Sequence, residues 1–316
     1  MQLRLGYLLI DGFALMSYAP VIEPFRAANR LSDRQLYTWR HYSPTGSPAR
    51  VSNGLLLTVD AAISALDQVD ILFVCAGGNP SLFDDGATFA SLRRAARFGT
   101  IIAGVSGGPF VMARAGLLDG YRCTVHWEHE DSFRETFSKP QLERNLYVVD
   151  RKRITCAGGL AGLDLTTKLI AETHGTTLAR KVSDWYIQSE QRQGDRPQRQ
   201  APLQVLGEAH VGLGRVLAAM DEDTSVPHDR LVLARLGGVS VRQLERLFAA
   251  KLGATISAHS LKLRLERARR LIVETDMTIA DVSSASGFSS TSYFSRAFKQ
   301  RFHQPPSGLR RIPRKT

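Results

Sequence analysis

Cysteine is scarce. Cys75, Cys123 and Cys156 are odd in number and far apart, so no disulfide framework is implied. Long apolar runs are missing as well, and none approaches the roughly 18–20 residues that cross a bilayer. The opening stretch MQLRLGYLLIDGFALM breaks its short apolar run with Arg4 and Asp11 and offers no convincing cleavage site. It reads as a first β-strand and not as a signal peptide. These absences exclude a membrane-embedded or disulfide-stapled protein and point to a cytoplasmic one. Wholesale disorder is excluded too, because 43% of the residues are hydrophobic and 22% charged. With 316 residues, two domains are expected, each able to bury its own core.

An excess of either charge is missing from most of the chain. Residues 1–224 hold 24 Lys+Arg and 24 Asp+Glu, whereas residues 225–316 hold 17 against 6. The whole net charge of +11 therefore sits in the last quarter. Such asymmetry is the footprint of a nucleic-acid-facing domain joined to a neutral one.

Residues 1–190 alternate strand-like and helix-like patterns. Leu3–Ile10 is an apolar run followed by helical spacing through Leu15, Tyr18, Ile22, Phe25 and Leu31. Asp70–Ala76 runs into Gly77-Gly78-Asn79-Pro80, and Thr100–Val105 runs into Ser106-Gly107-Gly108. Leu146–Val149 and Arg153–Ala157 form a hairpin pattern before Gly158-Gly159 opens a helix. Buried strands interleaved with helices predict a flavodoxin-like parallel sheet with helices on both faces. Ligands bind such sheets beyond the carboxyl ends of the strands, where Gly78, Asn79, Ser106, Gly107 and Gly158 all fall. Residues 191–202 are polar and rich in breakers, and read as a linker. From 203 to 316 the pattern is helical throughout.

The α-helical part carries one motif twice. In LVLARLGGVSVRQLERLF a short helix meets Gly237-Gly238, and Ser240 caps a second helix bearing Leu244, Leu247 and Phe248. In IADVSSASGFSSTSYFSRAFKQRF the turn falls at Gly287, and Ser289 or Ser290 caps a helix bearing Tyr293, Phe294, Phe298 and Phe302. Each is a helix-turn-helix pattern. Between them, SAHSLKLRLERARRLIVET gives about 28 Å of helix at 1.5 Å per residue. That length could hold two recognition helices near the roughly 34 Å spacing of successive major grooves.

Residues 203–308 resemble the AraC/XylS family of transcription regulators through VSVRQLERLF, LRLERARRLI and the run from IADV through SGFSSTSYFSRAFKQRF to PP. Gly237 and Ser283 stand where that family often has alanine; both remain small. The resemblance implies base contacts from Arg242, Gln243 and Arg246 in the first recognition helix. From the second it implies Ser290, Thr291, Ser292 and Arg296. Arginine can pair bidentately with guanine and glutamine with adenine, while phosphate contact or an intrahelical pair such as Arg242 with Glu245 is the alternative for each.

Residues 1–190 resemble the class I glutamine amidotransferase-like, PfpI-type fold through DILFVCAGG, GVSGGPFVMARAGLLDGYRCTVHW and ITCAGGLAGLDLTTKLIA. The elbow residue of the enzymes in that family is normally cysteine, helped by an acid from the first helix region and often by a histidine. Here Ser106 takes the cysteine position, Ser17 falls near the acid position, and His126 matches the histidine. The stretch Gly104–Gly108 also reads as G-x-S-x-G, which raises a serine nucleophile with His126 as base and Asp150 or Asp164 as third member. The order of α/β-hydrolases would instead call on Asp119 with His126 or His174. With both nucleophilic thiol and acidic helper absent, the expectation is a non-catalytic ligand seat made by Ser17, Gly78, Asn79, Ser106, Gly107, His126 and Trp127. Elbow backbone N–H groups would hold a carboxylate, and Trp127 a cation. His126 and His129 have H-x-x-H spacing without a further ligand cluster, so neither metal nor cofactor is expected.

The combined arrangement resembles the GlxA-type regulators. That implies a regulator, usually an activator, with promoter DNA and RNA polymerase as partners, a homodimer formed through the front domain, and no membrane. Some regulators of this arrangement respond to arginine, glycine betaine or carnitine, which implies an amine or amino-acid-like effector. A serine-dependent hydrolase or amidase fused to a DNA-binding domain is the alternative. In a third reading the front domain serves only as a dimerisation platform.

Overall fold

The structure is a computed structural model and describes residues 2–199 and 211–310. In chain order its strands are β1 (Leu3–Leu9), β2 (Tyr37–Ser43), β3 (Ala49–Arg50), β4 (Leu56–Leu57), β5 (Ala61–Ala62), β6 (Ile71–Ala76), β7 (Ile101–Ser106), β8 (Arg122–Cys123), β9 (Gln141–Leu142), β10 (Tyr147–Asp150) and β11 (Arg153–Cys156). Seven of them form one sheet in the order β10-β11-β7-β6-β1-β2-β5. Every pairing in it is parallel except the β10–β11 hairpin, which closes through Arg151 and Lys152. β6 is buried along its whole length, as is β7 beyond Ile101. Continuous apolar burial of this kind is what a parallel sheet covered on both faces demands.

The two faces have separate cores. On one, α1 (Leu15–Ser32), α5 (Ala161–His174) and α6 (Thr176–Trp185) pack Phe25, Leu165, Ile170 and Val182 against Tyr7, Phe73 and Val105. On the other, α2 (Gly86–Arg97), α3 (Gly108–Arg114) and α4 (Glu130–Thr136) pack Leu92, Phe110, Met112 and Phe133 against Leu8, Leu72 and Val74. The strand order changes direction at β1 while the strands stay parallel, so the loops after β1, β6, β7 and β11 gather at one end of the sheet, the switch-point arrangement.

The chain divides into two compact units between Gln198 and Arg199. Residues 191–198, expected as the first part of a linker, are fastened to the first unit. Arg192 grips Asp164, Gly194 O accepts a hydrogen bond from Leu146 N at 2.8 Å, and Pro197 bridges Asn145. Residues 200–202 lie outside the described residues, as do 203–210 of the helix expected to start at Leu203; Val211–Glu222 is helical.

The second unit is helical throughout its described residues. A first core joins Leu213, Val216, Leu233, Leu244, Phe248 and Ile256, with Leu263 packed against it. A second joins Leu265, Ala268, Leu271, Val282, Phe288, Phe294 and Phe298. The long helix Ile256–Glu274 therefore serves both cores, Ile256 and Leu263 facing the first and Leu261 and Leu265 the second, and each helix-turn-helix has its own apolar interior. The helix pairs are Arg230–Gly237 with Val241–Leu252, and Ile279–Ala285 with Thr291–Phe302. Ser240 accepts from Gln243 N and Ser290 from Tyr293 N, so both recognition helices begin at a serine cap.

Candidate functional site

β7 ends at Ser106 with φ at +59°, in the left-handed region that costs a non-glycine residue roughly 1–2 kcal/mol. The sheet over-determines that conformation. Gly107 N donates to Ala76 O at 2.9 Å, and α3 starts so close to β6 that a Cβ on Gly108 would lie 2.0 Å from Val74 O. This is the strand-turn-helix elbow expected from the sequence. Its donors are fewer than expected, since the Gly107 N–H is committed to Ala76 and Pro109 has none.

Three other loops reach the elbow. Gly78 (φ +62°) and Asn79 follow β6; Asn79 accepts from Ser81 Oγ, and Pro80 packs on Gly107. Gly158, after β11, is wedged between two serines. A Cβ there would lie 2.7 Å from Ser17 Oγ and 2.8 Å from Ser106 Cβ. Ser17, in the first turn of α1, accepts from Gly159 N at 2.9 Å. The serine at the acid position thus pins a loop instead of supplying a charge. Ser17 and Ser106 are brought together across Gly158, and the loop carrying Gly78 and Asn79 reaches Gly107 through Pro80.

His126 and Trp127 come from the segment after β8, which docks on β11 through Thr124 N donating to Thr155 Oγ1 at 2.8 Å. His126 is half-buried, its Nδ1 accepting from Glu128 N at 3.3 Å, and the Trp127 ring is exposed. Their ring centroids stand 5.3 Å apart.

Ser106 is buried, and its Oγ makes no hydrogen bond to any described residue. The carboxylates considered as triad members are engaged elsewhere. Asp164 is fully buried and accepts from Gln188 Nε2, Arg192 N and the Arg192 guanidinium. Asp150 is bound by Arg151 and by Arg122 N, which hold its carboxyl below the usual range. Asp119 pairs with Lys139 at 2.9 Å, and His174 lies edge-on to Tyr37. No hydrogen bond joins the Ser106 hydroxyl to His126, His174 or any of these carboxylates. Among the described residues no group of three His, Cys, Asp or Glu could hold a metal ion. The three cysteines are buried, and burial pushes the Cys123 and Cys156 thiols up to about 12.

In the second unit, Arg242, Arg246 and Arg296 are exposed and have no acidic partner among the described residues. Glu245, the intrahelical candidate, is taken by Arg230 at 3.1 Å. Gln243 is exposed but forms a capping box, its Oε1 accepting from Ser240 N at 3.0 Å. Ser290 is the N-cap of the second recognition helix, and Thr291 and Ser292 stand exposed in its first turn. Two features gave no sequence signal. Arg264 and Arg267 donate to the carbonyls that end helix Ile279–Ala285, and Gln198 plugs into the 124–127 segment; both act side chain to backbone, which leaves no periodicity.

Residues 10–172 match the DJ-1/PfpI family, and residues 233–312 match a helix-turn-helix domain family. The chain is 41% identical over 309 residues to the HTH-type transcriptional regulator GlxA of Rhizobium meliloti (strain 1021), covering 98% of this chain and 95% of that protein. It is 40% identical over 306 residues to the HTH-type transcriptional regulator CdhR of Pseudomonas aeruginosa, covering 97% and 91%. Among solved structures, an AraC family transcriptional regulator from Pseudomonas putida covers 58% of this chain and 99% of its own, with a TM-score of 0.53 and 24% identity. That likeness carries the fold of the first unit. No helix among the described residues is long and apolar enough to cross a membrane.

Proposed function

This chain belongs to the family of AraC-type helix-turn-helix transcriptional regulators that carry a DJ-1/PfpI domain, and from that premise we propose that it is a ligand-responsive, non-catalytic sensor. The coarse activity, DNA binding in the service of transcription, comes with the family. The finer reading rests on one observation: the Ser106 hydroxyl is held at a strained elbow with no base to activate it. Strain at a site is kept where structure over-determines it for use, and a hydroxyl without a base binds instead of attacking. The seat comprises Ser17, Gly78, Asn79, Ser106 and Gly107, with His126 and Trp127 beside it. Its ligand is a small amine or amino-acid-like compound, as for the arrangement this chain resembles. Promoter DNA is read by Arg242, Gln243, Arg246, Ser290, Thr291, Ser292 and Arg296, with RNA polymerase as the further partner and a homodimer formed through the first unit.

Footprinting the full chain on its own promoter tests the DNA arm. Arg242→Ala and Arg296→Ala should each weaken specific binding by about 1–3 kcal/mol while sparing random DNA. Equal losses on both would make them phosphate contacts. Thermal shifts of the full chain with glycine betaine, carnitine and L-arginine test the sensing arm. A shift that Ser106→Ala weakens supports it, whereas steady turnover that Ser106→Ala abolishes would replace it with the hydrolase reading.

A further inference from the structure

Residues 188–198 close the first unit, and they are tied to both sides of the serine elbow. Gln198 supplies one tie: its Nε2 lies within hydrogen-bonding distance of Thr124 Oγ1 (3.0 Å), Val125 O (2.8 Å) and Asn145 O (3.0 Å), and its Oε1 accepts from Trp127 N at 2.8 Å. The second tie is Arg192, forked onto the buried carboxylate of Asp164, in the first turn of α5. Between them Leu146 N donates to Gly194 O and Arg196 O, while Leu146 O accepts from Ala157 N at 2.9 Å. Ala157 precedes Gly158, whose position is set by contact with Ser106 and Ser17. A path of hydrogen bonds and backbone thus runs from the serine seat through Gly158, Ala157 and Leu146 to the strap.

The strap is held almost wholly by polar groups, several of them exposed, and adds no large buried side chain to either core. Segments with few buried apolar contacts open at low free-energy cost, here everywhere but at Arg192, which neutralises the buried Asp164 carboxylate. Its chemistry suits an element that shifts when its anchor loops shift.

The geometry points to residues 188–198 as the transducing strap of this regulator, with Gln198 and Arg192 as positioning residues that pass occupancy of the Ser106 seat to the chain leading into the DNA-binding unit. This rests on the sensing reading above. Because coupling is reciprocal, loosening Gln198 must also alter the seat.

The test uses the full chain carrying Ser106→Cys, alkylated with iodoacetamide so that the seat is filled without the natural effector; buried Cys75, Cys123 and Cys156 serve as internal controls. Alkylation should change hydrogen exchange across 188–199, and Gln198→Ala should abolish that change. Gln198→Ala should also change the alkylation rate, because a loosened strap changes how often the buried elbow opens to the reagent. Strap exchange indifferent to alkylation, with equal rates in both backgrounds, overturns the proposal; a DNA footprint that still responds would then leave the sensing reading standing. A strap that responds while the footprint does not overturns the transducing role as well, because occupancy then stops short of the DNA-binding unit. If the new thiol resists alkylation, Gln198→Ala in the natural chain decides: exchange must rise in loops 106–108 and 157–160, and unchanged exchange there overturns the proposal.

Discussion

Replacing Arg264 should loosen the second helix-turn-helix while leaving the first intact. The last carbonyls of a helix have no partner within it, and those after Ile279–Ala285 are met by the long helix beside it. Arg264 Nε donates to Ser286 O at 2.9 Å, its Nη2 donates to Gly287 O, and Arg267 Nε donates to Ala285 O at 3.2 Å. The Arg264 guanidinium also stands 4.0 Å from the centroid of the Phe288 ring. A hydrogen bond to a charged donor is worth about 1.5–3 kcal/mol when fully buried. Arg264 is half-buried, so water recovers part of that, leaving roughly 1 kcal/mol per bond. The ring contact adds about 0.5–1 kcal/mol, and the total loss for Arg264→Ala comes to about 2–3 kcal/mol. Lysine keeps the charge without the planar fork, so Arg264→Lys should lose about half as much. Hydrogen exchange in the full chain should rise across 279–302 and stay unchanged across 230–252. Footprinting should show only one half of the protected site weakened. Loss spread evenly over both halves, with the salt slope smaller by about one, would make Arg264 a phosphate ligand and refute the reasoning. So would an Arg264→Lys chain indistinguishable from the parent.

Three further outcomes are expected. Ser106→Gly should stabilise the first unit by about 0.5–1 kcal/mol, because relief of left-handed strain outweighs glycine's entropy; chemical denaturation that shows a loss would mean the elbow is unstrained. His41 is half-buried between Tyr18, whose hydroxyl lies 2.7 Å from Nε2, and Asp60, and stacks on Tyr7; burial lowers its pKa despite the opposing pull of Asp60. Its neutral form therefore contributes stability that is complete above the unfolded value of about 6.5 and lost as pH falls through the folded one. His41→Phe should flatten the pH dependence of stability below that value, and an unchanged slope would assign it to other groups. Finally, iodoacetamide at pH 8 should label none of the three cysteines until the chain unfolds; fast native labelling would contradict their raised thiol pKa values.

Much of the architecture was legible because burial on both faces writes itself into composition. Ile71–Ala76 and Ile101–Val105 are unbroken apolar runs ending in glycine or serine, so strand, turn and switch point could be read together. Ser240 and the Ser289-Ser290 pair announced their helices by cap chemistry, and the structure puts the second cap at Ser290. The two-residue strands β3, β4, β5, β8 and β9 are too short to show alternation, and nothing in the residues marked them. Residues 191–198 read as a linker because polar composition signals solvent; here Arg192 and Gln198 are spent on side-chain and backbone partners of the first unit. Ser17 was recognised as standing at the acid position, yet its bond to Gly159 N depends on a loop 142 residues away that no local pattern reveals.

The long helix Ile256–Glu274 serves both apolar cores, with Ile256 and Leu263 facing one and Leu261 and Leu265 the other. An α-helix turns about 100° and rises 1.5 Å with each residue, so one inserted residue between them would swing one reading head a quarter-turn and more out of phase with its partner. No flexible joint is available there to restore alignment. The separation and rotational phase of the two helix-turn-helix units are thereby set by one continuous helix. New targets must then be acquired by exchanging side chains on the recognition helices, since the distance between the words they read cannot drift.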